Sequence, residues 1–156
     1  MATVLLSSDG SDLATAAMLK GIEVLGRDHD FHSLSVVPPA FAPSVSAFDS
    51  GPIIVDPKIE EEIEQEDKQE SAADLEALDR VLDITSAQVV EVGEPGPTIC
   101  RVAAQIGADV IVIGSHGHGW LQRVLLGSVS QHVVRHAPCA VFVVRLSPAS
   151  KDAKEA

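Results

Sequence analysis

Five short apolar runs separated by helical patterns constrain this 156-residue chain more than any other feature. "TVLLSS" (3–8), "FHSLSVV" (31–37), "AQVVEV" (87–92), "DVIVI" (109–113) and "AVFVVR" (140–145) each have strand length and are rich in Val, Ile and Leu. Between them, apolar residues recur with helical spacing. Strands alternating with helices predict an α/β protein with an open five-stranded parallel sheet and helices on both faces. Residues 1–146 read as one domain and 147–156 as a disordered tail.

The helical expectations are specific. Ser11 or Asp12 caps a helix whose inner face is Ala14, Ala17, Met18, Gly21, Ile22 and Leu25, with Gly26 ending it. Residues 38–57 hold five prolines and read as a loop or flap. The run "EEEIEQEDKQE" (60–70) carries seven acids against one lysine. It reads as a solvated, largely frayed helix start, so the unit 38–74 is a Pro-rich flap followed by an acidic helix start. Periodicity becomes clear from Ala72, where Leu75, Leu78, Val81 and Leu82 share a face. Gly93, Pro95, Gly96 and Pro97 predict a stiff turn, with Thr98 capping a helix that buries Ile99, Val102, Ala103 and Ile106 and stops at Gly107. A last short helix, 129–136, turns Val129, Val133 and Val134 inward and ends at Pro138.

Charge and cysteine content exclude several functions. A formal charge of −12 opposes general nucleic-acid binding and an anionic membrane surface. It leaves room for one small anion held by backbone N–H groups at a helix start. No window has the length of a membrane span, and the N-terminus lacks the pattern of a secretion signal. Cys100 and Cys139 are far apart, with no metal-type spacing, and read as reduced, partly buried thiols of a cytoplasmic protein.

The segment "GSHGHGWLQRVLLGS" (114–128) contains four of the eleven glycines and directly follows the fourth apolar run. In an open parallel sheet, ligands bind beyond the C-terminal strand ends, and both Asp9 and Gly114 fall on that edge. The segment is not a Walker A loop, because no Lys follows its glycines. It is not a dinucleotide fingerprint either, because a G-x-G-x-x-G starting at Gly117 would place Gln122 third. Glycines that admit phosphate to backbone N–H groups, with a helix start beyond them, remain a good anion cradle.

The spacing Gly114-x2-Gly117-x9-Gly127-Ser128 is similar to the G-x2-G-x9-G-[ST] pattern of nucleotide-binding universal stress proteins. The resemblance extends to "VLLSSDGSD", "VGEPGPTI" and the block from Gly107 to Val144, which is nearly the whole chain. It implies a five-stranded Rossmann-like or flavodoxin-like three-layer α/β domain that binds ATP with Mg2+, acts in stress response or signalling, and pairs as a homodimer through the final strand, 140–145. It also implies site residues: Asp9, after Ser7 and Ser8, near the ribose; Val36 and Val37 at the adenine; Gly114, Ser115, His116 and Gly117 around ribose and phosphates; and Gly127, Ser128, Val129 and Ser130 closing on the phosphates. Arg123 is a further phosphate partner. The chain departs from the pattern at His116 and His118, where members often carry Arg or Lys, and in the length of segment 38–74.

Other chemistry is poorly supported. His132 and His136 stand at i, i+4, but "HVVRH" lacks the Glu of H-E-x-x-H, so they read as solvent-facing histidines rather than metal ligands. There is no nucleophile elbow, and Ser128 and Ser130 have no evident His–Asp partners. The alternatives to an ATP-binding stress protein are a slow ATPase, for which only Arg123 and Asp9 are candidates, and a nucleotide-free interaction protein using 38–74. A cyclic nucleotide also fits the adenosine part of the site.

Overall fold

The computed structural model describes residues 1–40, 56–115 and 126–146. The five strands are β1 (Thr3–Ser7), β2 (Asp30–Val37), β3 (Ser86–Val92), β4 (Val110–Gly114) and β5 (Ala140–Val144); the four helices are α1 (Asp12–Leu25), α2 (Pro57–Leu82), α3 (Pro95–Ile106) and α4 (Ser128–His136). All strand pairings are parallel, and the sheet order is β3-β2-β1-β4-β5. The chain builds outward from β1 to β3, then returns to the other side of β1 for β4 and β5. The winding direction therefore reverses between β1 and β4, which opens a crevice at their C-terminal ends.

Side chains alternate across the strands and fill two separate cores. Val4, Leu6, Phe31 and Val112 pack against Met18 and Ile22 of α1 and Leu75, Leu78 and Leu82 of α2. Leu5, Leu34, Ile111 and Ile113 pack against Ile99, Val102 and Ala103 of α3 and Val133 of α4. These strands are buried on both faces, which explains why they read as continuous apolar runs rather than alternating ones. Burial of each large aliphatic side chain here contributes about 1.5–3 kcal/mol.

Several boundaries differ from the sequence expectation. The acidic run is fully helical: α2 starts at Pro57, directly after Asp56, whose carboxylate accepts from the Lys58 N–H at 3.0 Å. Its Glu, Gln and Lys residues favour helix without an apolar stripe, so periodicity alone missed this first half. The first half is solvated as expected, with Ile59 and Ile63 both exposed. Val81 lies on the solvent side of α2 and Val134 on that of α4, so neither joins the buried face. The expected turn at 95–97 is the first turn of α3, with Pro95 at a position that needs no N–H donor. Thr98 is buried within that helix and does not cap it. Of the two candidates for the α1 cap, Ser11 is the one used, its hydroxyl accepting from the Ala14 N–H at 3.1 Å.

Most of the expected Pro-rich flap, residues 41–55, and the expected tail, residues 147–156, lie outside the described residues.

Candidate functional site

A cavity of about 980 Å3 opens at the reversal of winding. Its floor is the C-terminal ends of three strands: Ser7, Ser8 and Asp9 after β1, Ser35, Val36 and Val37 of β2, and Ile113 and Gly114 of β4. One side is the start of α4, from Gly127 to Gln131, and the opposite side is the middle of α2, at Asp67, Glu70, Ser71 and Asp74. The volume is in the range of small-molecule and cofactor sites.

Local hydrogen bonding fixes the floor. After β1 the Ser8 N–H donates to the Leu34 carbonyl at 3.0 Å, which carries the β1–β2 ladder past the strand end. The Ser8 hydroxyl accepts from the Gly10 N–H at 3.2 Å. The Asp9 carboxylate accepts from both the N–H and the hydroxyl of Ser11, at 3.0 and 2.6 Å, so the turn that caps α1 also orients this acid. Gly10 has φ +76°, and an added Cβ would collide with the Asp74 carboxylate of α2. The glycine thus accommodates both a left-handed turn and a close approach of α2.

The α4 side is built from backbone. The Gly127 N–H donates to the Ser115 carbonyl at 2.7 Å, and the buried Ser130 hydroxyl donates to the carbonyls of Ser115 and Gly127 at 3.2 and 3.0 Å. These bonds tie the start of α4 to the end of β4. Ser115 in turn donates its N–H to the Val144 carbonyl at 2.9 Å, behind the lining. Gly127 precedes α4 with extended backbone and supplies no side-chain cap. The first-turn N–H groups of a helix have no intrahelical acceptors, and together with the helix dipole they form a region suited to an anion.

Of the residues anticipated from sequence, Ser7, Ser8, Asp9, Val36, Val37, Gly114, Gly127, Ser128, Val129 and Ser130 line this one cavity. Ser115 stands just behind it, and His116, Gly117 and Arg123 lie outside the described residues. Sequence reasoning missed Ser35, Pro95 and Gln131, and above all the α2 wall of Asp67, Glu70, Ser71 and Asp74. The signal for that wall is faint but present. Positions 67, 71 and 74 continue the stripe of Leu78 toward the N-terminus of α2, with polar residues replacing leucine.

The remaining titratable groups stand apart from the cavity. Burial pushes the Cys100 and Cys139 thiols above their usual range, and Cys139 is raised further by Cys100 and Asp109, against a lowering hydrogen bond from the Ile111 backbone. Both behave as packed thiols rather than nucleophiles. His136 is exposed, whereas His132 is half-buried beside Gly96; their rings stack with centroids 4.3 Å apart. Among the described residues, no group of three or more His, Cys, Asp or Glu side chains is placed to hold a metal ion, and no helix is long and apolar enough to cross a membrane.

A doubly wound parallel sheet with its cavity at the reversal of winding defines an α/β domain of the Rossmann-like class. The family model of the universal stress protein family matches residues 1–145, and the chain belongs to that family. It is 46% identical over 63 residues to universal stress protein Slr1101 of Synechocystis, a segment that is 40% of this chain and 58% of that protein. Matches to putative universal stress proteins of Staphylococcus cover 39% of those proteins. Among solved structures, the universal stress protein UspA from Lactobacillus plantarum superposes with a TM-score of 0.71 at 28% identity, covering 92% of this chain and 97% of its own. Two more distant structures share the fold. One is a universal stress protein in complex with cAMP (TM-score 0.65, 20% identity, 94% and 98% covered). The other is a family protein from Arabidopsis thaliana with AMP bound (TM-score 0.61, 16% identity, 99% and 97% covered).

Proposed function

We propose that this protein binds an adenine mononucleotide, ATP with Mg2+ in the first instance, and acts as a cytoplasmic stress-response or signalling protein whose ligand state alters a partner interaction. The observation that carries the reading is the convergence of Asp9, Val36, Gly114, Gly127 and Ser128 on one cavity that ends at the start of α4. The cAMP and AMP complexes of two proteins with this fold support the ligand class.

In this reading the phosphates lie against the first turn of α4. Its N–H groups and the Ser128 hydroxyl supply hydrogen bonds to charged oxygens, each contributing about 1.5–3 kcal/mol. Asp9, oriented by Ser11, accepts from ribose hydroxyls, and the end of β2 at Val36 and Val37 takes the base. His116, Gly117 and Arg123 complete the phosphate side, as the resemblance implies. The lining fits Mg2+ only through scattered oxygen donors such as Ser128, so the cation would be held chiefly by the phosphates themselves. Residues 1–146 act as one domain, paired as a homodimer through β5.

Isothermal titration with Mg-ATP, AMP, cAMP and adenosine tests the proposal. Saturable binding near one nucleotide per chain is expected. Ser128→Ala should weaken ATP several-fold while leaving adenosine unchanged. No heat and no thermal stabilisation with any of the four ligands would overturn the reading. Product analysis of the same samples addresses turnover: conversion above background that is lost in Asp9→Asn would move the assignment to a slow ATPase.

A further inference from the structure

We propose that the middle of α2 makes this cavity selective for where phosphate is attached to the nucleotide: phosphate on the 5′ side is accepted, and phosphate on the ribose 2′ position is rejected. The proposal rests on the nucleotide reading above and assigns Asp67, Glu70 and Asp74 as the specificity-determining residues.

At 26 residues, α2 is longer than the sheet it packs on requires. Its C-terminal half packs Leu75, Leu78 and Leu82 onto the sheet, whereas residues 57–74 contribute no side chain to that core. The helix runs antiparallel to the strands it connects, so this leading part projects past their C-terminal ends, over the cavity. Eighteen helical residues span about 27 Å. The stripe that is leucine over the sheet becomes Asp67, Glu70, Ser71 and Asp74 where it faces the cavity. The glycine at position 10 fixes the spacing, because its bare Cα is what lets the Asp74 carboxylate lie against the turn that carries Asp9.

The cavity is therefore polarised. At one end are the N–H groups and hydroxyls of the α4 start, which favour negative charge. Along the other side are the carboxylates of Asp9, Asp67, Glu70 and Asp74, and the described lining contains no Lys, Arg or His. A nucleotide with its 5′ phosphate at α4 turns its ribose toward Asp9 and the α2 wall. Hydroxyl donors on that ribose suit carboxylate acceptors. A phosphate there would face several like charges on a solvated wall, a repulsion that salt screens. The ligand class is thus a mononucleotide with a free ribose 2′-hydroxyl, and 2′-phosphorylated dinucleotides are excluded.

Competition titrations with 5′-AMP and adenosine 2′,5′-bisphosphate test this directly. In the wild-type protein the second phosphate should weaken binding by on the order of tenfold or more, and raising the salt should narrow that gap. In Asp67→Asn/Glu70→Gln/Asp74→Asn the ratio of the two affinities should fall several-fold, because the like charges facing a 2′ phosphate are gone. These near-isosteric changes lie on a solvated helix face, and the salt series needs no variant at all. Bisphosphate binding as tightly as 5′-AMP, or a gap that neither salt nor the triple variant changes, would overturn the inference and leave the nucleotide reading standing. Failure of 5′-AMP and all other adenine nucleotides to bind would overturn both.

Discussion

Asp79, which no sequence motif marks, joins a helix to two strands. From the last turns of α2 its carboxylate accepts from the Ser86 N–H at 3.0 Å, the Ser86 hydroxyl at 2.8 and 3.0 Å, and the Gln88 amide at 3.2 Å. The buried Ser33 hydroxyl of β2 stands 3.5 Å away. One acid thus ties the end of α2 to the starts of two strands, including the edge strand β3. Removing it leaves the half-buried Ser86 donors to water, at a cost of about 1–3 kcal/mol. Asp79→Ala should lower the melting temperature by about 3–10 °C in a domain of this size. Nucleotide affinity measured well below the transition should not change, because the acid does not line the cavity. An unchanged melting temperature would show that water replaces the carboxylate at no cost. The glycines and serines of the site were readable in advance because their chemistry is local. Asp79 was not, since its role depends on strands that meet it only after folding.

At the scale of elements, the contact that positions the proposed phosphate end is the packing of α3 against α4. An added Cβ on Gly96 would stand 2.7 Å from Cγ and 2.9 Å from Cβ of His132, atoms too near the α4 backbone to swing aside. Ala favours helix over Gly by roughly 0.5–1 kcal/mol, but overpacking costs about 1–3 kcal/mol. The second effect wins if α4 is as closely seated as the distances indicate. Gly96→Ala should therefore destabilise the protein by about 1 kcal/mol and weaken nucleotide binding, since the same helix carries Ser128 and Val129 to the cavity. A stabilised variant with intact binding would show that α4 can shift freely. The sheet and its two-sided core were legible because buried parallel strands appear as unbroken apolar runs. The limits of α2 and α3 were less so. Charged helix formers leave no apolar stripe, and Pro95-Gly96-Pro97 is turn chemistry that here starts a helix. The α2 wall escaped notice for a further reason: whether a polar stripe faces solvent or a cavity is decided by how far the helix outruns the sheet.

At the scale of the whole molecule, β5 is a sheet edge composed of Ala, Val and Phe, with Val141, Phe142 and Val143 half-buried. A short apolar edge of this kind is a template for pairing with another strand, and the proposed homodimer would place a second β5 there. The two sides of the strand can be told apart. The Val144 carbonyl accepts from Ser115, on the β4 side. Backbone groups alternate along a strand, so the N–H of Val143 points away from β4. Proline at position 143 would remove an outward donor without removing one from the β4–β5 ladder, the one setting in which a strand tolerates proline. Val143→Pro should thus yield a folded monomer, seen as a halved mass by light scattering with the far-ultraviolet circular dichroism preserved. The net charge of −12 opposes association at long range, so the wild-type dimer should tighten as salt is added. A variant that remains dimeric would place the seam elsewhere, and a wild type that is monomeric at every salt concentration would remove β5 pairing from the proposal.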